Sequence, residues 1–239
     1  MDTLKFDKGN TLVVAHRGLS GVEFENTYVS FVASANRSYY GIETDVHLSR
    51  DGYFILNHDD NFSRVAGDER KIADMTLDEI QKIVLLGKDG KKSNTALRPA
   101  MLEDYLSVVK TYSKHAVIEL KANFSLDDIS RIIETVKSFV SLDDVTFISF
   151  EFDNVAKVRE LLPRQSVQYL IWHLTDDAID KLVKHKMDAD VWCMELTKEQ
   201  IDKAHARGVK VNCWTVNEVE NGEKFASWGI DFITTNILE

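Results

Sequence analysis

Eight short apolar runs, each followed by a segment of helical periodicity, constrain this chain more than any other feature. The runs are 11–15 (TLVVA), 41–46 (GIETDV), 116–120 (AVIEL), 145–149 (VTFIS), 166–171 (SVQYLI), 189–193 (ADVWC), 209–214 (VKVNCW) and 231–235 (DFITT). They are rich in β-branched and aromatic residues and mostly apolar on both faces, as strands of a parallel sheet covered on both sides must be. Between them the period becomes helical. Ile129, Ile132, Ile133, Val136, Phe139 and Val140 form one stripe at i, i+3, i+4, i+7 spacing. Thr76 with Glu79, Thr197 with Gln200 and Asn217 with Glu220 read as helix starts, each a cap followed three residues on by Glu or Gln. Gly208 reads as a helix stop. This α/β alternation predicts a closed (β/α)8 barrel of the TIM type, and 239 residues suffice for one such domain over 1–239.

One stretch breaks the rhythm. Residues 51–100 hold an extra short strand (Tyr53 to Asn57), a helix (Leu77 to Leu86) and a polar loop, Gly87-Lys88-Asp89-Gly90-Lys91-Lys92-Ser93-Asn94. This reads as a small insertion after the second barrel strand, folded over the barrel mouth. Lys88, Lys91 and Lys92 read as a solvated loop, with a phosphate patch as the alternative.

Composition narrows the chemistry. A net charge of −10, from 29 basic against 39 acidic residues, argues against nucleic acid as a partner, since a phosphate backbone demands a basic face. An acidic chain that handles a phosphate must concentrate positive charge locally or hold a metal. No run approaches about 18 apolar residues, so no membrane span is expected. Cys193 and Cys213 lack CxxC spacing and read as buried thiols in a reducing compartment. The opening Met1-Asp2-Thr3-Leu4-Lys5 shows no basic region followed by an apolar stretch, which predicts a cytoplasmic protein. The oligomeric state is left open.

The candidate site gathers at strand ends. Glu43 and Asp45 are two apart in a strand and so point to one face, here the barrel interior. Two buried carboxylates repel, and a hard divalent cation removes that repulsion; a solvent-exposed strand end is the plainer alternative. Glu119 and Lys121 repeat the spacing, as a third carboxylate and a phosphate-binding ammonium, or as a structural Glu–Lys pair. His16 and Arg17 stand where the first strand ends, with Gly18 allowing a sharp turn beside a ligand. Arg17 offers a planar fork suited to phosphate. His58 follows the apolar run Phe54-Ile55-Leu56. Two histidines facing one phosphorus can divide proton removal and proton delivery between them. Trp214 is placed to pack against the carbon face of a polyol or lipid fragment, or else in the core. His47 is a candidate for support behind Asp45; His115, His173, His185 and His205 fall on strand starts, loops or polar helix faces.

These residues closely resemble the glycerophosphodiester phosphodiesterase family. The resemblance runs in order through Ala15-His16-Arg17-Gly18, Glu25-Asn26-Thr27, Gly41 to Val46, Asp51-Gly52, His58-Asp59, Ile118 to Lys121, Ser149-Phe150, Trp214 to Asn217 and Gly229 to Asn236. It implies a TIM barrel with a small insertion after the second strand. It also implies hydrolysis of glycerophosphocholine- or glycerophosphoethanolamine-type diesters to glycerol 3-phosphate and an alcohol. It puts the acid/base pair on His16 and His58. The ligands of one divalent cation, Mg²⁺ or Ca²⁺, fall on Glu43, Asp45 and Glu119. The phosphate contacts fall on Arg17 and Lys121, and the glycerol-side aromatic on Trp214. The chain departs from the family pattern at Phe24, at Arg98 to Leu102 and at Thr235 to Glu239. Two rivals stand beside this reading: a phospholipase D-type enzyme acting on lysophospholipids, and a non-catalytic barrel that binds a phosphorylated ligand.

Overall fold

The computed structural model describes residues 2–92 and 97–239. Its strands are β1 (Leu12–Ala15), β2 (Gly41–Leu48), β3 (Phe54–Leu56), β4 (Asn61–Phe62), β5 (Asp68–Lys71), β6 (His115–Leu120), β7 (Val145–Ser149), β8 (Ser166–Ile171), β9 (Asp188–Trp192), β10 (Val211–Trp214) and β11 (Phe232–Thr235). The order β1-β11-β10-β9-β8-β7-β6-β2 is parallel throughout and closes by pairing β1 with β2, which makes the eight-stranded barrel expected from the pattern.

Helices α1 (Tyr28–Ala35), α4 (Leu102–Tyr112), α5 (Leu126–Phe139), α6 (Phe152–Leu161), α7 (Asp176–His185), α8 (Lys198–Ala206) and α9 (Val219–Ser227) follow successive barrel strands, while α2 (Ser63–Ala66) and α3 (Leu77–Ile80) lie in the segment after β2. Along α5 the stripe residues Ile129, Ile132, Ile133 and Val136 are buried against the sheet. Ser125 caps that helix by accepting the Asp128 amide N–H, one donor that the first turn cannot satisfy internally. No helix among the described residues is long and apolar enough to cross a membrane.

The strand alternation sorts side chains into two cores. Most outward residues join the helices in one large cluster, with Val13 and Ala15 of β1 in a small one beside Leu19 and Tyr39, while Val14, Val117, Ile148 and Leu170 meet inside the barrel. A packed interior of this kind closes the barrel, so the chemistry is left to its C-terminal mouth.

The segment after β2 builds a cap with its own apolar cluster, including Phe62, Val65, Ile72, Met75 and Ile80. β3 runs antiparallel to β2, pairing His47 with Ile55, and the Asn57 amide donates to the Asp45 carbonyl at 3.1 Å. This pairing returns the chain to the end of β2 and delivers His58 to the barrel mouth.

Two local expectations are corrected. The helix read over Leu77 to Leu86 ends at Ile80. Beyond it Ile83 and Leu85 are buried in the cap cluster, and the Leu85 and Leu86 amides donate to the Leu97 and Val65 carbonyls at 3.0 and 2.8 Å. Cross-chain pairing therefore overrides helical propensity there. Asn217 does not cap α9, whose N-cap is Glu218 without a side-chain bond. Its Oδ1 instead accepts the Asn236 amide at 2.9 Å, tying the end of β10 to the end of β11. The Thr76–Glu79 and Thr197–Gln200 capping boxes are both present, and Gly208 follows α8 with φ +75°.

Candidate active site

The loop after β1 sets the geometry. Arg17 and Gly18 both take left-handed φ, at 54° and 75°. A Cβ on Gly18 would lie 2.7 Å from the Ser30 backbone carbon, so α1 packs against a position that only glycine can occupy. The turn aims Arg17 across the mouth and His16 toward β2.

Glu43, Asp45 and Glu119 converge, as the two-residue spacing requires, with one oxygen of each within 4.8 Å of the others. All three are buried. Burial, then the charges of Asp45 and Glu119, push the Glu43 carboxyl well above the usual range. Burial and then Asp45 push Glu119 up to about 7. Burial opposes ionisation of Asp45 as well, but Arg17, Lys121, His58 and the Asn26 amide hold it well below the usual range. Three carboxylates this close do not ionise together without added positive charge. Glu43 Oε1 and Asp45 Oδ1 have no hydrogen-bond partner. An all-oxygen cluster with orphaned acceptors fits a hard divalent cation.

Two basic groups stand over the cluster. Lys121 Nζ lies 3.0 Å from Glu119 and 3.7 Å from Asp45. Arg17 Nε lies 3.3 Å from Asp45, and its Nη1 donates to Glu25 at 2.9 Å. Both cations are mostly buried at the barrel mouth, so an entering phosphate meets them partly stripped of water.

His16 and His58 line the same pocket as Arg17, Glu43, Glu119 and Trp214. Each is anchored through Nδ1, His16 to Asn236 Oδ1 at 2.7 Å and His58 to Asp59 Oδ1 at 2.8 Å. With Nδ1–H donating, Nε2 is left as the nitrogen for proton exchange in both rings. Burial, then the Arg17 charge, lower His16 to about 4. Burial also lowers His58. Trp214 packs edge-on against Phe150 and Trp172, with ring centroids 5.4 and 5.3 Å apart. The structure thus brings all eight sequence candidates to one mouth.

Several contributors carried no role in the sequence reading. Asn26 donates from Nδ2 to Asp45 at 2.7 Å, and its Oδ1 accepts from Thr44 at 2.8 Å. Arg64, in the cap, donates through Nη1 and Nη2 to Glu25 at 2.9 and 2.8 Å, and through Nε to Asp59 at 2.8 Å. One guanidinium therefore braces the carboxylate that holds Arg17 and the carboxylate that holds His58. The signals were adjacency: Glu25 and Asn26 stand beside Thr27, and Asp59 follows His58.

Other sequence candidates lie behind or away from the pocket. His47 donates from Nε2 to the His58 carbonyl at 3.3 Å and supports that loop. His115 opens β6, with Tyr40 and Thr146 as partners at 3.0 and 2.8 Å. His173 and His205 pair with Glu195 and Asp231, each at 2.8 Å, and His185 packs on Phe152. Lys88, Lys91 and Lys92 are exposed, and Lys88 donates to the Ser20 carbonyl; Ser93 and Asn94 of that loop lie outside the described residues. Cys193 and Cys213 are free thiols, the latter fully buried.

A barrel whose mouth joins a buried carboxylate cluster to an arginine, a lysine and two oriented histidines belongs to the class of metal-assisted phosphate-ester enzymes. A family model described as the Glycerophosphoryl diester phosphodiesterase family matches residues 16–239, and the chain belongs to that family. A glycerophosphodiester phosphodiesterase of Caldanaerobacter subterraneus is 27% identical over 235 residues, covering 95% of this chain and 94% of that protein. The fold is similar to that of an Oleispira antarctica phosphodiesterase solved in complex with the product sn-glycerol-3-phosphate (TM-score 0.87, 24% identity, 98% and 96% of the two chains). It is also similar to a glycerophosphodiester phosphodiesterase from Parabacteroides distasonis (TM-score 0.79, 26% identity, 95% and 93% covered).

Proposed function

We propose that this protein hydrolyses small glycerophosphodiesters, of the glycerophosphocholine and glycerophosphoethanolamine type, to glycerol 3-phosphate and an alcohol. The observation that carries this reading is the pair of Nδ1-anchored histidines lining one pocket with Arg17, Glu43 and Glu119.

Glu43, Asp45 and Glu119 would hold one divalent cation, Mg²⁺ or Ca²⁺, and such an ion supplies positive charge against the phosphodiester oxygens. Arg17 and Lys121 bind the remaining oxygens and absorb the negative charge that grows at phosphorus. One histidine removes a proton from the nucleophile, which is water or the glycerol 2-hydroxyl, the latter giving a cyclic phosphate that water then opens to glycerol 3-phosphate. The other delivers a proton to the departing alcohol oxygen. Trp214 packs against the glycerol carbons. A small-molecule substrate agrees with the net charge of −10, which disfavours nucleic acid. We place the enzyme in the cytoplasm, in the breakdown of deacylated lipids.

The test is a coupled assay for glycerol 3-phosphate across several head groups, with and without chelator, beside lysophosphatidylcholine. Metal-dependent release from glycerophosphocholine or glycerophosphoethanolamine is the expected result. Turnover confined to the lysolipid would establish the phospholipase D-type rival, and ligand binding without turnover would establish the non-catalytic one.

The Arg64 brace has its own consequence. Arg64→Ala should lower kcat/KM by about tenfold, because small displacements of reacting groups are costly. The Arg64 side chain is 47% exposed, so the thermal midpoint should move little. Arg64→Lys should recover only part of the loss, since an ammonium cannot reproduce three directed N–H bonds. Wild-type kcat/KM in Arg64→Ala would remove the brace from the mechanism.

A further inference from the structure

The orphaned buried atoms around the pocket divide into two groups. Arg17 Nε, Glu43 Oε1 and Asp45 Oδ1 lie in the region that the cation and phosphate account for. Asp190 Oδ1 and Trp214 Nε1 are also without partners, and both residues line the pocket. The first is an acceptor and the second a donor. A buried polar atom with no bond is costly, so a fold that keeps two of them in one pocket calls for a ligand group that satisfies both.

Asp190 stands in the middle of β9 and is only 2% exposed. β9 and β10 pair in parallel, with Asp190 opposite Asn212 and Trp192 opposite Trp214. Trp214 is therefore two residues nearer the mouth on the neighbouring strand. The polar groups beside Asp190 are already engaged. Asn212 Nδ2 donates to Gln168 Oε1 at 3.3 Å and to Thr234 Oγ1 at 3.0 Å, and Asn212 Oδ1 accepts from Thr234 at 3.2 Å. Ile148, Phe150 and Leu170 give this part of the wall an apolar surface, with Thr215 beside Trp214. Such a wall suits carbon-bound hydrogens, and one acceptor with one donor suits a hydroxyl, which both gives and takes a hydrogen bond.

We propose that Asp190, together with the indole N–H of Trp214, binds a hydroxyl of the glycerol moiety and makes the site selective for a hydroxylated alcohol phosphate. This rests on the glycerophosphodiester reading above. A site built to bond a hydroxyl discriminates strongly against a ligand that lacks it, because its own buried groups are then left unpaired.

The test is calorimetric titration of the Mg²⁺- or Ca²⁺-supplied protein with glycerol 3-phosphate and its two deoxy analogues, 2-hydroxypropyl phosphate and 3-hydroxypropyl phosphate. Wild type should bind one analogue about 10- to 100-fold more weakly than glycerol 3-phosphate. Asp190→Leu, of similar volume, should erase that gap, and Asp190→Asn, which keeps an acceptor oxygen, should retain most of it. Trp214→Phe should narrow the gap for the same analogue. The proposal is overturned if wild type binds all three ligands alike, or if Asp190→Leu weakens all three by one common factor, the mark of a structural role. The coupled assay separates the two levels. Turnover of glycerophosphodiesters without this discrimination removes only the hydroxyl site, whereas absence of turnover removes the substrate reading itself.

Discussion

His16→Ala and His58→Ala should each lower turnover of a glycerophosphodiester by about 10²–10⁴-fold, the range typical for losing a positioned acid or base. The expectation rests on how the rings are held. Asn236 takes the Nδ1–H of His16 at 2.7 Å and Asp59 that of His58 at 2.8 Å, so each Nε2 is the exchanging nitrogen. Burial favours the neutral form of both rings, His16 down to about 4, so the ring that takes a proton at Nε2 is ready to do so, while the ring that delivers one must first gain it at Nε2, which the negative charge of an entering phosphodiester favours. Because the two roles are sequential parts of one reaction, the double variant should be little worse than the poorer single one. The loss should fall mainly on kcat, since Arg17 and Lys121 remain to bind the phosphodiester. Asn236→Ala and Asp59→Ala should lie between wild type and the histidine variants, since they free a ring without removing it. Steady-state kinetics on glycerophosphocholine and glycerophosphoethanolamine decides the matter. Near wild-type kcat in both histidine variants would end the acid/base assignment.

The barrel was legible because its strands are buried on both faces. Residues such as Val145 to Ser149 have no polar face to disguise them, and their ends were read to within two residues. The shared face of Glu43 and Asp45 was legible from strand spacing, but a solvent-exposed strand end fitted the spacing equally well, and Glu119, which also fitted a structural pair with Lys121, joined them as a third ligand only through the family resemblance. Other features depend on contacts that no local pattern encodes. His58 reaches Asp45 only because β3 folds back on β2. Arg64 reads as one more charge in a polar insertion, and its role appears only when Glu25 and Asp59 arrive from two other segments. Asp190 sits inside the run ADVWC, where a single Asp is absorbed by the apolar pattern. Helix α3 stops early for the same reason: the partners of Leu85 and Leu86 are Leu97 and Val65, distant in sequence.

Glu43→Gln should lower metal-dependent activity strongly while making the metal-free protein more stable. Glu43 is 2% exposed and stands beside two other carboxylates. Its carboxyl is pushed well above the usual range by burial and by Asp45 and Glu119, so ionising it opposes folding. A group whose folded pKa is raised costs stability as pH rises above its unfolded value near 4.5, and the loss grows until the folded value is passed. The metal-free wild type should therefore weaken over that interval, and Glu43→Gln should weaken less. The glutamine keeps an oxygen for the Arg17 amide, which now donates to Glu43 Oε2 at 2.8 Å, so the turn after β1 is preserved. Near neutral pH the gain should be about 1–3 kcal/mol, seen as a thermal midpoint raised by roughly 2–10 °C. Mg²⁺ or Ca²⁺ should raise the midpoint of wild type by mass action and raise that of the variant far less. Activity should fall by about 10²–10³-fold, because the charge that opposes the phosphodiester is no longer held in place. The two readouts move in opposite directions, which separates a lost ligand from a damaged fold. A variant less stable than the metal-free wild type would show that the Glu43 carboxylate does not strain the cluster, and one that keeps full metal-dependent turnover would show that the cluster does not hold the cation.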